Sequence, residues 1–322
     1  MHRYLKKITL AGAAMLVSGS LFAADNYPSK PVRIIVPYQA GQGTDIATRY
    51  FADHLSKKFG QTFVVENIGG AGGVIGTQTA SRAAGDGYTL VMGTNATHVL
   101  NEYMYTSMGY DAAKDFEPVI LTGTLPMTIV TRTDSPFKNV QDVIAAAKKA
   151  DNSADIATPS TSARLVFELL KEQSGAPLFM IPYKGSASSM SNLIGGQIPL
   201  AIDTITASRP QVESNTLRAI AVTSLKPTDL LPGVPPVSEQ GLPGFEVVAW
   251  NAIYAPKGTP ATVITKLNLE LQAFIAQPET QAKLKSMGYE PGGGTPGDLA
   301  AFAEAERKKW RPIIETAGLK AN

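Results

Sequence analysis

The chain of 322 residues has no cysteine and three histidines. Without cysteine there is no disulfide framework, no thiol nucleophile and no residue to carry an acyl-lipid anchor. A core of this size does not need such staples. Of the histidines, His54 and His98 lie outside the first residues, and no cluster with metal-ligand spacing surrounds either. His54, between Asp53 and Leu55 in a helical pattern, reads as a surface or packing residue. There is no Gly-x-Ser-x-Gly elbow and no phosphate loop. An excess of one charge is missing too. The 29 Lys+Arg oppose 27 Asp+Glu, and three of the basic residues (Arg3, Lys6, Lys7) fall in a leader, leaving 26 against 27, or −1. That balance offers no basic field to nucleic acid and no polybasic patch to a membrane surface. Long apolar runs are also lacking: residues 8–21 are too short and too rich in small residues to suit a membrane span, and no later stretch is longer. These absences argue against an enzyme. No catalytic residue, metal site or cofactor is assigned.

What is present begins with that leader. A basic start, a short apolar stretch and small residues before Ala24 read as a signal peptide over residues 1–23, cleaved after Ala23. A soluble, exported protein is the expectation. Its length suits one bilobed unit or two domains.

Behind the leader, short β-branched runs alternate with helix-period segments. The strand-like runs are 32–36, 63–66, 89–92, 128–131, 178–181 and 217–222. Ile46, Tyr50, Phe51, Leu55 and Phe59 form one helical stripe, stopped by Gly60; another, at Leu165, Val166, Leu169 and Leu170, precedes Gly175. Residues 140–150 make an Ala-rich helix. This α/β alternation predicts parallel sheets with helices on their faces. The chain changes character near 123–126, where a new β/α run starts, and again at the Pro- and Gly-dense stretch 232–243. After 249–255 it is mainly helical. Boundaries at 24–124 with 250–322, and at 125–249, follow for two lobes.

Chemistry concentrates at strand-to-helix turns. After the run 32–36 comes Pro37-Tyr38-Gln39-Ala40-Gly41-Gln42-Gly43-Thr44-Asp45. Free N–H groups near Gly41 and Gly43, with the Thr44 hydroxyl, can grip a carboxylate at a helix start. Thr44 or Asp45 could equally cap that helix. Tyr38 can supply an aromatic wall or simply be half-buried. Ser160-Thr161-Ser162 follows a short strand at 155–157, with Arg164 in the next helix's first turn. A cation there opposes the helix dipole unless an anion sits nearby, and Arg can hold a carboxylate by two bonds. The bland alternative is a loose pair with Glu168. Asp203 ends the run 200–202, at the strand end where open α/β sheets bind ligands, although it too could cap a helix. Thr94 and Asn95, just past the run 89–92, complete the candidates. The glycines of 67–76 lack the acidic partner a dinucleotide needs; they suit close approach to a small ligand or tight packing.

The same residues carry a resemblance. The chain resembles the Bug-type periplasmic solute-binding proteins of tripartite tricarboxylate transporters. The motif residues are Pro37-Tyr38, Gly41, Asp45 and Arg49; Asn67, Gly70, Ala71, Gly72, Gly73 and Gly76; Asp86-Gly-Tyr-Thr-Leu90; Asp115-Phe-Glu-Pro-Val119; Pro182-Tyr-Lys-Gly185; Gly195-Gly-Gln197; Leu217-Arg-Ala-Ile-Ala-Val-Thr223; Leu242-Pro-Gly-Phe245; and Trp250. They run in the family's order along the whole mature chain. The resemblance implies a two-lobed type II periplasmic-binding fold and a ligand carboxylate held on two β-turn-helix elements, here Tyr38–Asp45 and Ser160–Arg164, partly through water. It also implies an Asp at position 203. Gln39, Gln42 and Arg164 replace smaller or different residues of relatives and point to a second polar anchor. The reading is a periplasmic, monomeric carrier of a dicarboxylate, such as the aromatic terephthalate, that closes on its ligand and delivers it to permease subunits. A sensor for a membrane receptor and, less favoured, an exported carboxylate enzyme are the alternatives.

Overall fold

The computed structural model describes residues 26–149, 154–316 and 318–319, so the expected leader lies outside the described residues. Among the latter the strands are β1 (Val32–Val36), β2 (Phe63–Asn67), β3 (Thr89–Thr94), β4 (Phe116–Arg132), β5 (Ile156–Thr158), β6 (Met180–Pro182), β7 (Leu200–Thr204), β8 (Leu217–Val222), β9 (Val248–Pro256) and β10 (Glu290–Gly293). The helices are α1 (Gly43–Phe59), α2 (Val74–Ser81), α3 (Asn101–Met104), α4 (Val140–Ala147), α5 (Thr161–Ser174), α6 (Ser186–Ile194), α7 (Ile205–Glu213), α8 (Ala261–Ile275), α9 (Pro278–Ser286) and α10 (Pro296–Thr316).

In the first lobe β2, β1 and β3 run parallel, and β9 joins β3 antiparallel. In the second, β6, β5 and β7 run parallel, and β7 and β8 pair antiparallel with β4. The apolar runs predicted at 32–36, 63–66, 89–92 and 217–222 fall in β1, β2, β3 and β8, the run at 178–181 overlaps β6, and α1 and α5 stop at Gly60 and Gly175. Both glycines are in the left-handed region that a side chain disfavours, and each N–H closes the last turn.

One expectation is corrected. The sequence suggested a fresh start near 123–126 and a strand at 128–131, whereas β4 is a single 17-residue strand. Its first part pairs with β9 and β10, its last part with β7 and β8. Pro118, Gly123 and Pro126 hid it, because they break the alternation of a regular strand. Register shifts against β9 accommodate Pro118 and Gly123, while Pro126 pairs in register. A Cβ at Gly123 would meet the Glu290 carbonyl and the Tyr289 ring. β4 therefore carries the chain out of the first lobe and β9 carries it back, with Leu125 opposite Ala249 and Pro126 opposite Val248 at the crossing. This is the two-lobed arrangement the resemblance implied.

The first lobe's core includes Phe51, Leu55, Leu271, Phe274 and Tyr289 between α1, α8 and the sheet. A second cluster runs from Val91 and Trp250 to Leu165 and Ile202, joining the lobes, with Trp310 of α10 packed into it. The indole N–H groups of Trp250 and Trp310 both donate to Glu306 Oε2, at 3.1 Å each. This pair pins α10 to the returning strand.

Candidate functional site

Four helix starts converge between the lobes. α1 follows β1, α5 follows β5 and α6 follows β6 after short turns, and α7 follows β7 directly, so the strands deliver their helix N-termini to one edge. Ser160 Oγ caps α5 at the Ala163 N–H, and Thr204 Oγ1 caps α7 at the Ala207 N–H. No side chain caps α1, whose N-cap is Gln42, or α6, whose N-cap is Gly185. Both therefore present first-turn N–H groups and a partial positive charge.

These starts surround a cavity of about 30 Å³ lined by Tyr38, Gln42, Thr44, Asn95, Ser162 and Asp203, together with Gly43, Thr94, Leu125, Ser160, Ser186, Thr204, Ala249 and Asn251. Nine of the fourteen residues singled out from sequence meet there. Its volume is far below the roughly 300–1,000 Å³ of ordinary ligand sites. The lobes are drawn together around it. Gln42 Nε2 donates to the Pro159 carbonyl at 3.2 Å, and Ser162 Oγ donates to Asn95 Oδ1 at 3.0 Å. A Cβ on Gly43 would meet Thr204 Oγ1 at 2.7 Å and Leu125 Cδ2 at 3.0 Å.

The lining is polar, buried and incompletely paired. Asn95 Nδ2, Asn251 Nδ2 and Asp203 Oδ2 have no hydrogen-bond partner, although the three residues are 1%, 1% and 3% exposed. Such orphans cost free energy in a dry interior, so three around one cavity mark a place for a polar guest. Thr44 Oγ1 donates to Asn251 Oδ1 at 3.2 Å, and Tyr38 Oη bonds Thr94 Oγ1 at 2.8 Å. Burial pushes the Tyr38 hydroxyl well above its ordinary range, so it stays protonated. Burial also pushes Asp203 up to about 6, opposed by Ser186 and Thr204. The Thr204 N–H bonds its Oδ1 at 2.8 Å, while Ser186 acts from outside hydrogen-bonding geometry. No Lys, Arg or His lines the cavity.

Five candidates stand elsewhere. Asp45 is buried but faces its own turn. Burial alone would raise its carboxyl, yet Arg49, the Gly41 N–H and Asn67 hold it below the usual range. It braces the loop rather than capping α1. Gly41 is part of that brace, at φ +85°. Gln39 is exposed, near Gly185. Thr161 packs toward Gly72. Arg164, expected to read a second carboxylate, lies outside the lining with Nε 3.6 Å from Glu168 Oε1, because i,i+4 spacing lays it along the helix. The glycines of 67–76 serve packing: a Cβ on Gly76 would strike the Ile68 carbonyl and Pro37 Cα, and one on Gly73 would strike Thr97. Sequence reasoning missed Leu125, Ser186, Thr204, Ala249 and Asn251. Ser186 follows the Gly185 turn and offered a signal; Asn251, inside an apolar strand, offered only its polarity. Among the described residues no His/Cys/Asp/Glu group could hold a metal, and no helix is long and apolar enough to cross a membrane.

Comparison with known proteins places this site in context. The family described as tripartite tricarboxylate transporter family receptor matches residues 47–319. A Pseudomonas sp. (strain P51) protein encoded in the tcbD-tcbE intergenic region is 34% identical, covering 98% of this chain and 96% of its own. Among solved structures, an R. palustris protein with adipate has a TM-score of 0.87 at 35% identity, over 91% of this chain and 98% of its own. The periplasmic binding protein BugD gives 0.85 at 36%, over 92% and 100%. MatC from Rhodopseudomonas palustris with bound malate gives 0.83 at 26%, over 89% and 100%.

Proposed function

This chain belongs to the tripartite tricarboxylate transporter receptor family, and from that premise we propose that it is a periplasmic binding protein that captures a dicarboxylate between its lobes for delivery to membrane permease subunits. The observation that carries the reading is the set of three orphaned polar atoms, on Asn95, Asn251 and Asp203, around one cavity where helix starts converge. Uncapped helix N-termini and amide donors suit carboxylate oxygens. Similar proteins solved with adipate and malate support a diacid. Residues 1–23 serve as the export leader in this reading, and the mature protein acts as a monomer.

Lobes 24–124 with 250–322, and 125–249, turn about the β4–β9 crossing. The cavity is too small for a diacid, so the ligand enters an opened cleft and stabilises its closure by contacting both lobes. The ligand-binding set is the lining group Tyr38, Gln42, Gly43, Thr44, Thr94, Asn95, Ser160, Ser162 and Asp203, with Asn251 added. The near-absence of histidine and the lack of cysteine favour carriage over catalysis.

Thermal unfolding against a carboxylate panel tests this. A binder of the folded state raises the melting temperature with its excess over Kd. Adipate, malate or terephthalate should raise it where acetate and benzoate do not, and the best of them identifies the carboxylate spacing. Stabilisation by monoacids or amino acids alone would overturn the dicarboxylate. Loss of uptake in a deletion strain would favour the transporter role over a sensor.

A further inference from the structure

Asp203 is an odd residue to find in an anion site. Its carboxyl is 3% exposed and lines the cavity with one oxygen unpartnered. The charged groups of the elements around it are engaged elsewhere. Arg209 of α7 is tied to Glu213 and to the Lys285 carbonyl. Arg164 of α5 lies by Glu168, and Asp45 of α1 is clamped by Arg49. Lys184, ahead of α6, is exposed. On β4 the register partner is the uncharged Thr128. Tyr38, the other titratable residue of the lining, is protonated. An incoming carboxylate therefore shares the cavity with a second, buried carboxyl and no cationic side chain of the lining. Two carboxylates in one site cannot both stay ionised without raising the proton affinity of one.

Resting on the dicarboxylate reading, we propose that Asp203 takes up a proton as the ligand binds, so that its Oδ2–H donates a hydrogen bond to a ligand carboxylate oxygen. The proton comes from solvent and stays on Asp203 until release. Asn95 and Asn251 line the same cavity with amide nitrogens that lack a hydrogen-bond partner, and the unpartnered oxygen of Asp203 becomes a donor. The site thereby selects carboxylates without a positive side chain. The lift that burial alone gives this carboxyl is consistent with the assignment.

Adipate and terephthalate carry no donor that an ionised Asp203 could accept, so they isolate the effect. Calorimetry of the mature wild-type protein with each, at about pH 7.5 in phosphate and in Tris at equal ionic strength, reads protons exchanged from the dependence of heat on buffer ionisation. About one proton should be taken up per ligand, and Kd should rise about tenfold per pH unit above neutrality. Asp203→Asn should bind with no proton exchange and a flat Kd against pH. Wild-type binding without proton uptake overturns the proposal whatever the variant does. Binding of neither acid, together with no stabilisation by any diacid of the thermal panel, overturns the dicarboxylate reading instead, and this inference with it.

Discussion

Two buried titratable residues give opposite signs to the dependence of stability on pH. Asp203 keeps its proton in the folded protein up to about pH 6, while the unfolded carboxyl releases it near 3.9. Between these values the folded state holds more protons, so this residue's contribution to stability falls as pH rises. His98 does the reverse. It is fully buried, stacked on Tyr254 at 4.0 Å, and burial, with Arg307 nearby, lowers its pKa to about 3. From about pH 3 to 6.5 the unfolded chain holds more protons there, so stability rises with pH. Thermal unfolding between pH 4.5 and 6.5 should therefore show a steeper rise with pH in Asp203→Asn than in wild type, and a shallower one in His98→Phe. Equal slopes in all three proteins would contradict both assignments. At the β1–α1 turn, Asp45→Ala removes a buried acceptor from Gly41, Asn67 and Arg49 and should cost about 2–3 kcal/mol in denaturant unfolding. Asp45→Asn should cost less, since its carbonyl oxygen keeps part of the brace.

At the scale of elements, one carboxylate ties α10 to β9. Glu306 accepts from two indoles whose residues are almost wholly buried. Glu306→Ala leaves both N–H groups without a protein acceptor and should destabilise by about 2–4 kcal/mol, while Glu306→Gln, which retains a carbonyl oxygen, should lose less than half as much. The comparison is made by urea unfolding at matched pH. A similar loss for both would mean that packing, rather than the shared acceptor, fixes α10 on β9. The elements around the cleft were legible from sequence to different degrees. Strands β1 and β8 and the stops at Gly60 and Gly175 stood out because apolar alternation and a left-handed glycine are local signals. β4 did not, because its pairing partners are distant in sequence, β9 more than a hundred residues on, and Pro118 and Gly123 are accommodated at register shifts that only this pairing permits.

For the whole molecule, the proposed closure depends on how nearly α1 and α7 can approach. Gly43 has no side chain where a methyl would meet Thr204 and Leu125 across the cleft. Gly43→Ala should fold with stability near wild type, since its backbone lies outside the positive-φ region. It should hold the lobes apart and weaken ligand binding about 10–100-fold, the scale of a closed state penalised by about 1.4–2.7 kcal/mol. Small-angle scattering should show wild type contracting with adipate and the variant contracting less. Unchanged affinity in Gly43→Ala would mean that binding does not need this approach.

The sequence by itself determined the α/β class, the glycine stops, the hydroxyl- and glycine-rich helix starts and the family, because these depend on local periodicity, turn chemistry and ordered motifs. Tertiary structure alone decided which candidates share a cavity. Asn251 enters it from a strand more than two hundred residues after Thr44, its hydrogen-bond partner. Arg164 and Asp45, adjacent to the site in sequence, turn instead to partners one helical turn away. Charge and spacing make a residue able to bind an anion, but the direction of its side chain is set by the nearest partner that burial leaves within reach.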